Sequence, residues 1–261
     1  MTDAQKPLSI TEVKKLLQTI VDPDDERLKE FRNDARKGVI AAVRSWDKKA
    51  EKQQLAQEKL QEMLAYEKRA WAHGKKFIAG VDEVGRGPLA GPVVSAAVIL
   101  PEDFNIVGIN DSKQLSLAKR NELFDIIQEK ALAVGVGIKD AAVIDQVNIY
   151  EASKLAMLEA IEQMPIQPDH LLVDAMMLPL PVSQENIIKG DAKSVSIAAA
   201  SIIAKVTRDR MMEEYDVMYP GYGFPNNAGY GTKEHLTALE DLGVTPIHRR
   251  SFAPVREALL N

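Results

Sequence analysis

The sequence predicts an α/β fold: a mixed sheet flanked by helices and preceded by a helical N-terminal extension. Three observations lead there. From His73 onward, short apolar runs rich in β-branched residues alternate with longer amphipathic ones, the pattern of a sheet with helices packed on it. The first seventy residues hold one glycine, Gly38, of the chain's 15, and their charges alternate in sign, which suits solvated helices. The chain has 261 residues, 46% hydrophobic and 27% charged, enough for one sizeable core plus an appendage.

In chain order, Ser9-Ile10-Thr11-Glu12 fits a capping box and is followed by Val13, Leu16, Leu17 and Ile20 at helical spacing. Asp22-Pro23 is expected to start a second helix with Leu28 and Phe31 on one face. A third amphipathic stretch runs from about Val39 to Trp71 through Val43, Trp46, Leu60, Met63 and Leu64. These make residues 1–71 a helical extension and residues 72–261 a second domain, including a C-terminal helical segment. That domain opens with two strands, around Ile78 to Val81 and from Val93 to Leu100, joined through a turn-forming centre. Ser116 to Lys130 reads as a helix, Leu132 to Ile138 as a strand, and Ala141 to Met164 as one helix burying Leu155, Leu158 and Ile161. His170 to Val173 is a short strand ending at Asp174, and Ile187-Ile188 another, leading into Lys189-Gly190-Asp191. A long helix covers about Val195 to Tyr215, its Ala198-Ala199-Ala200-Ser201 run offering a face small enough to approach the sheet closely. In the tail, Pro220 to Pro225 and Gly229 to Thr232 surround a long loop, Thr232 caps a helix through about Asp241, and His248-Arg249-Arg250 forms a basic patch.

Composition narrows the chemistry. With no cysteine there are no disulfides, thiolate zinc sites or thiol nucleophiles, so any metal must be held by oxygen or histidine. The N-terminus shows no basic segment followed by an apolar run, and the longest apolar stretches fall short of the roughly 20 residues of a membrane span, so a soluble, cytoplasmic chain is expected. The net charge of −5 argues mildly against nucleic-acid binding, but basic residues cluster locally and global charge is a poor guide. Nothing calls for more than a monomer.

The chemistry centres on Phe77 to Leu100. Asp82 and Glu83 stand side by side where an apolar strand should run into the core, a costly placement that a bound divalent cation would offset. Neighbours on a regular strand face opposite sides, so both reach one site only if the strand bends or bulges, which Gly85 makes plausible. Asp174 and Asp191 likewise end short apolar runs, so the four acids can converge at one sheet edge. A histidine-free oxygen set favours Mg²⁺ or Mn²⁺, and four acids suit two ions about 3.5–4 Å apart clamping a phosphodiester. In Gly85-Arg86-Gly87-Pro88 the glycines permit positive φ or close backbone approach and the arginine can reach a phosphate. Lys113, Lys189, Lys193, Lys205, Arg208, Arg249 and Arg250 are candidate phosphate contacts. Tyr222 and Phe224 read as packed loop aromatics, and His235 and His248 as structural.

The segments GVDEVGRGPLAGPVV, Asp111-Ser112-Lys113, LLVDA, KGDAKSVSIAAASIIAKVTRD, GYGT and HRRSF occur in the order seen in bacterial ribonuclease HII, and the resemblance covers roughly residues 75–257. It implies a ribonuclease H-like fold and cleavage of the RNA strand of RNA/DNA hybrids, leaving a 3′-hydroxyl and a 5′-phosphate. It also implies incision 5′ to single ribonucleotides in duplex DNA, and so ribonucleotide and RNA-primer removal. Asp82, Glu83, Asp174 and Asp191 would be the catalytic and metal-binding acids, Gly85, Arg86 and Gly87 would read the ribose 2′-hydroxyl through the backbone, and Tyr230 would stack on the sugar at the RNA–DNA junction. The sister enzyme ribonuclease HIII resembles a TATA-binding-like domain at its N-terminus; the helical extension here and Arg86 between its glycines argue against it. A non-catalytic hybrid-binding module would be expected to lack one of the acids, and a small-molecule phosphatase would need a closed pocket.

Overall fold

The computed structural model describes residues 8–260. Contacts divide the chain into two compact units, one ending at Lys59 and the other starting at Leu60. In the first, α1 (Ile10–Thr19) opens with the predicted capping box: the Ser9 N–H donates to Glu12 at 2.7 Å and the Glu12 N–H to Ser9 Oγ at 3.3 Å. The second helix, α2 (Glu26–Arg32), starts later than Asp22-Pro23. Asp22 instead closes a turn by accepting from the Asp24 N–H, and Asp25 is the cap. Val13, Leu17, Ile20, Leu28, Phe31, Val39 and Val43 form this unit's core, the last two from α3 (Lys37–Met63). The long amphipathic stretch is broken at Leu64, after which α4 (Ala65–Ala72) begins.

The second unit is built on a five-stranded sheet of order β3-β2-β1-β4-β5. Its strands are β1 (Ile78–Val84), β2 (Val93–Ile99), β3 (Ala133–Lys139), β4 (His170–Asp174) and β5 (Ser183–Ile187). β1 pairs antiparallel with β2, and β2 with β3, whereas β4 is parallel to both β1 and β5. Helix α5 (Leu117–Lys130) connects β2 to β3; α6 (Ala141–Val147) and α7 (Ile149–Glu162) lead to β4; α8 (Val195–Met218) follows β5. The tail folds as α9 (Phe224–Asn227), α10 (Lys233–Leu242) capped by Thr232, and α11 (Ala253–Ala258).

The two sheet faces are covered by α8 and α7. The small-residue run of α8 is buried as expected, and the strand completes the fit: a Cβ on Gly80 would lie 2.0 Å from the Ser196 carbonyl carbon. On the other face a Cβ on Gly137 would lie 1.9 Å from the Ala156 carbonyl oxygen of α7. The single helix expected from Ala141 to Met164 is two. Asn148 takes φ 73° between them, and its side chain accepts from the Tyr150 and Glu151 N–H groups to start α7 afresh. The face that α7 buries runs through Ala152, Ser153, Ala156, Met157, Ala160 and Ile161, which leaves Leu155 outside it, 39% exposed instead of buried. Ile188 is also exposed, because β5 ends at Ile187.

Candidate active site

β1 carries the first two acids to the end of the sheet. The strand keeps regular register with β2 through Asp82↔Ala96, Glu83↔Ser95 and Val84↔Val94, so the expected bend or bulge is absent. Asp82 therefore shares the α8 side of the sheet with Gly80, buried beside Ser201, and Glu83 leaves from the opposite side. Being near the strand's end, both nonetheless feel Asp174. Val81 pairs with Val173 in parallel register, which sets Asp174, the last residue of β4, level with Asp82. Beyond β5 the chain turns sharply at Lys189, whose φ of 57° is left-handed, into a 3₁₀ turn, Gly190–Ala192. The Gly190 N–H donates to Asp174 Oδ1 at 2.9 Å, so the turn bearing Asp191 is fastened to the adjacent acid.

The electrostatics are those of an under-neutralised cluster. Burial, then Glu83 and Asp174, push Asp82 well above the ordinary carboxylate range. Burial raises Glu83 too, and Asp174 adds to it, against the opposing pull of Arg86 and Lys113. Asp191 is raised by burial, Asp111 and Asp174, with Lys113 opposing. Arg86 Nη1 reaches Glu83 Oε1 at 3.3 Å, while Glu83 Oε2 is buried with no partner. Repelling carboxylates with an orphaned oxygen fit a divalent cation. Among the described residues no three acids or histidines form a group that could hold a metal ion by themselves, so the four acids are not gathered into a ready-made protein cage. An open oxygen set matches Mg²⁺ or Mn²⁺, because Mg²⁺ retains water and takes one or two carboxylates together with substrate phosphate. A hollow of about 620 Å³, lined by Lys68, Trp71, Leu100 and their neighbours, lies at the other end of the strands and includes none of the four acids.

Next to the acids, the turn from Gly85 to Pro92 is held from below by two buried guanidiniums. Arg249 Nε donates to the Gly91 carbonyl at 3.0 Å, Nη1 to Arg86 at 2.9 Å, and Nη2 to Gly85 and Gly91. Arg208 Nε, Nη1 and Nη2 donate to the carbonyls of Pro92, Ala228 and Ala90 at 2.9, 2.8 and 3.1 Å. Burial lowers these groups to about 9 and about 10 respectively, still charged at neutral pH. With the Gly85 and Arg86 carbonyls drawn inward and every peptide of the described residues trans, the N–H groups of Arg86 and Gly87 point away from Arg249. Among the described residues neither N–H is taken by an internal acceptor. Gly85 has φ 91°, and a Cβ there would sit 2.3 Å from Arg208 Nε, so only glycine fits. Tyr230, 47% exposed, lies over Gly87, its Cε1 3.2 Å from where a Cβ would be.

The segment that presents Tyr230 has a defined polarity. His235 Nδ1 is 2.9 Å from the Tyr230 carbonyl, so it must donate; His235 Nε2 then accepts from His248 Nε2 at 2.9 Å, and His248 Nδ1 accepts from the Thr245 N–H at 3.0 Å. Both imidazoles are buried and neutral. Tyr222 and Phe224 stack at 5.3 Å beside them, packed as expected.

Comparison with known proteins fits this geometry. The sequence model described as Ribonuclease HII matches residues 79–255, and the one described as Ribonuclease HII N-terminal domain matches residues 9–71. The chain belongs to the ribonuclease HII family. A ribonuclease HII of Enterococcus faecalis is 59% identical over 255 residues, covering 96% of this chain and 98% of its own. One from Leuconostoc citreum is 52% identical over 253 residues, covering 97% of each chain. The crystal structure of the ribonuclease H2 from Pyrococcus horikoshii superposes with a TM-score of 0.59 at 31% identity, covering 69% of this chain and 96% of that one. Bst-RNase HIII in complex with Mn²⁺ shares the fold at a TM-score of 0.56 and 19% identity, over 71% of this chain and 70% of that one.

Within this ribonuclease, two of the candidate phosphate contacts are corrected. Arg208 and Arg249 are 1% and 0% exposed and spend their donors on carbonyls, so neither reaches a substrate phosphate. Lys205 is tied to Asp209 at 2.6 Å. Lys113, Lys189, Lys193 and Arg250 remain exposed, and Lys113 is close enough to influence Glu83 and Asp191. Ser112 and Ser201 were not singled out as site residues; their hydroxyls meet at 3.0 Å and tie the Asp111-Ser112-Lys113 turn to α8 beside Asp82. Glu67, also unmarked by its sequence surroundings, meets the turn that follows Asp191. No helix among the described residues is long and apolar enough to cross a membrane.

Proposed function

We propose that this ribonuclease HII is an endonuclease that hydrolyses the RNA strand of RNA/DNA hybrids and incises on the 5′ side of single ribonucleotides in duplex DNA. The observation that carries the reading is the pair of free N–H groups on Arg86 and Gly87, set beside the acids and under the exposed Tyr230 ring. Only the 2′-hydroxyl distinguishes RNA from DNA at one nucleotide, and outward backbone donors held rigidly by Arg249 are suited to it. Gly85 gives the turn its form, Arg86 reaches Glu83, and the Tyr230 ring beside Gly87 would stack on the sugar that follows. Lys113 and Lys189, both exposed, would contact phosphates without reading sequence.

Asp82, Glu83, Asp174 and Asp191 would hold the cation, in our reading two Mg²⁺ or Mn²⁺ ions once substrate is in place. Bound there, the ions supply an activated water and offset charge on the leaving oxygen. The chain's part is to present unprotonated carboxylates at fixed positions, with Gly190 restraining Asp174 and Ser201 flanking Asp82. Water adds to phosphorus as the P–O3′ bond breaks, leaving a 3′-hydroxyl and a 5′-phosphate. The buried His235 and His248 are occupied with each other, so neither serves as the base. We assign residues 1–71 to a helical extension and 72–261 to the catalytic domain, acting as a monomer in the cytoplasm in ribonucleotide and primer removal.

The deciding experiment uses a labelled DNA duplex with one ribonucleotide, with Mg²⁺ or Mn²⁺, beside an all-DNA duplex and an Asp82→Asn variant. One incision 5′ of the ribonucleotide, absent from both controls, is expected. Cutting of long hybrids without that incision would remove the single-ribonucleotide claim, and inactivity on both substrates would remove the nuclease assignment.

A further inference from the structure

Glu67, on α4, is 1% exposed, and no basic side chain pairs with it among the described residues. Its Oε1 accepts from the Ser194 hydroxyl at 2.6 Å and from the Ser196 N–H at 3.0 Å, while Oε2 is buried without a partner. Ser194 is the N-cap of α8, its Oγ accepting from the Ile197 N–H at 3.2 Å, and Glu67 takes a second of that helix's first N–H groups, that of Ser196. Burying that carboxylate with its second oxygen orphaned carries a desolvation cost.

What the carboxylate adds is orientation. By taking the Ser194 hydroxyl proton it leaves that oxygen's lone pairs for Ile197, which fixes the serine rotamer and the backbone on either side. On the upstream side, the Ser194 and Lys193 N–H groups both donate to the Gly190 carbonyl, at 2.8 and 2.9 Å, and the Gly190 N–H donates to Asp174 at 2.9 Å. Hydrogen bonds thus run without a gap from Glu67 through Ser194 and Gly190 to Asp174. Asp191 lies inside the loop they close.

We propose that Glu67 is a positioning residue of the active site, setting Asp191 against Asp174 through Ser194 and Gly190. The inference rests on the assignment of those two aspartates as site acids.

The test uses the full chain and two readouts: hydrogen exchange of the amides of residues 190–197 without metal, and kcat and KM on the single-ribonucleotide duplex. In Glu67→Ala, which loses the hydrogen bonds from both the Ser194 hydroxyl and the Ser196 N–H, exchange over 190–197 should quicken and kcat fall, each by at least about tenfold, with KM within about twofold of wild type. Glu67→Gln, whose amide oxygen accepts from the same two donors, should restore both. Glu67→Asp, one methylene short, should repeat the alanine result and serves if the alanine variant does not fold. Unchanged exchange and kcat in the alanine and aspartate variants would overturn the proposal. So would faster exchange spread evenly across β1 to β5, which marks a merely structural residue. If wild type cuts no duplex at all, the nuclease reading fails while the exchange comparison still decides what Glu67 holds.

Discussion

Replacing Arg249 by lysine keeps a positive charge in the core and discards the planar fork. The fork makes four hydrogen bonds to three carbonyls, those of Gly85, Arg86 and Gly91. A lysine ammonium has three donors issuing from one point and cannot span carbonyls that approach a guanidinium from different sides, so at least two of the four bonds are lost. Hydrogen bonds to charged groups contribute about 1.5–3 kcal/mol each, and partial replacement by water brings the expected loss to about 2–4 kcal/mol. For a unit of this size each kcal/mol moves Tm by roughly 2–4 °C, giving a fall of about 5–15 °C.

The same substitution tests function. Once the Gly85 and Arg86 carbonyls are released, the N–H groups of Arg86 and Gly87 are no longer aimed outward, and a displacement near 1 Å at a reacting centre costs on the order of a hundredfold in rate. Arg249→Lys assayed at 25 °C, well below its Tm, should therefore cut the single-ribonucleotide duplex at least about tenfold more slowly in kcat/KM. A variant within about 2 °C of wild-type Tm and with unchanged kcat/KM would refute the claim that this guanidinium shapes the turn.

Three further outcomes follow from the same structure. Burial, then His235, lowers His248 to about 4. A depressed folded value means that its stabilisation is complete above the unfolded pKa near 6.5 and is lost as pH falls toward 4, about 3 kcal/mol over that window. Denaturant melts between pH 7 and pH 4 should show the loss, and His248→Gln should flatten it; an equal slope in both proteins would dismiss the histidine relay as its source. Tyr230→Ala, at an exposed site, should leave Tm unchanged while lowering kcat/KM on the ribonucleotide duplex about tenfold, from roughly 1–3 kcal/mol of stacking. Gly80→Ala would drive a methyl to 2.0 Å from the Ser196 carbonyl carbon, so the sheet and α8 must separate; a loss of about 3 kcal/mol or more is expected in urea, and wild-type stability would contradict the packing described.

Which parts of this molecule its sequence reveals follows from how far apart the interacting groups lie along the chain. Asp82, Glu83 and Asp174 at strand ends, and Asp191 in the turn just past one, are legible because each interrupts or follows an apolar run, and the Gly85–Gly87 turn because glycine is the residue such backbone demands. Local caps are legible too, as Ser9 and Thr232 illustrate. The Asn148 break is hidden, since the apolar spacing continues through it and only a side chain folding back on the following amides reveals the restart. Arg208 and Arg249 resemble surface charges in sequence because their acceptors, Ala228 apart, lie 116 to 164 residues away and all are carbonyls, which leave no mark on residue type. Glu67 is obscured for the same reason, its serine partners standing 127 and 129 residues on. The acids that would perform the chemistry are written into contiguous motifs, whereas the groups that aim them are contributed from remote positions. Positioning residues should therefore be sought among buried charged side chains that lack a charged partner, and Arg208, Arg249 and Glu67 all answer that description here.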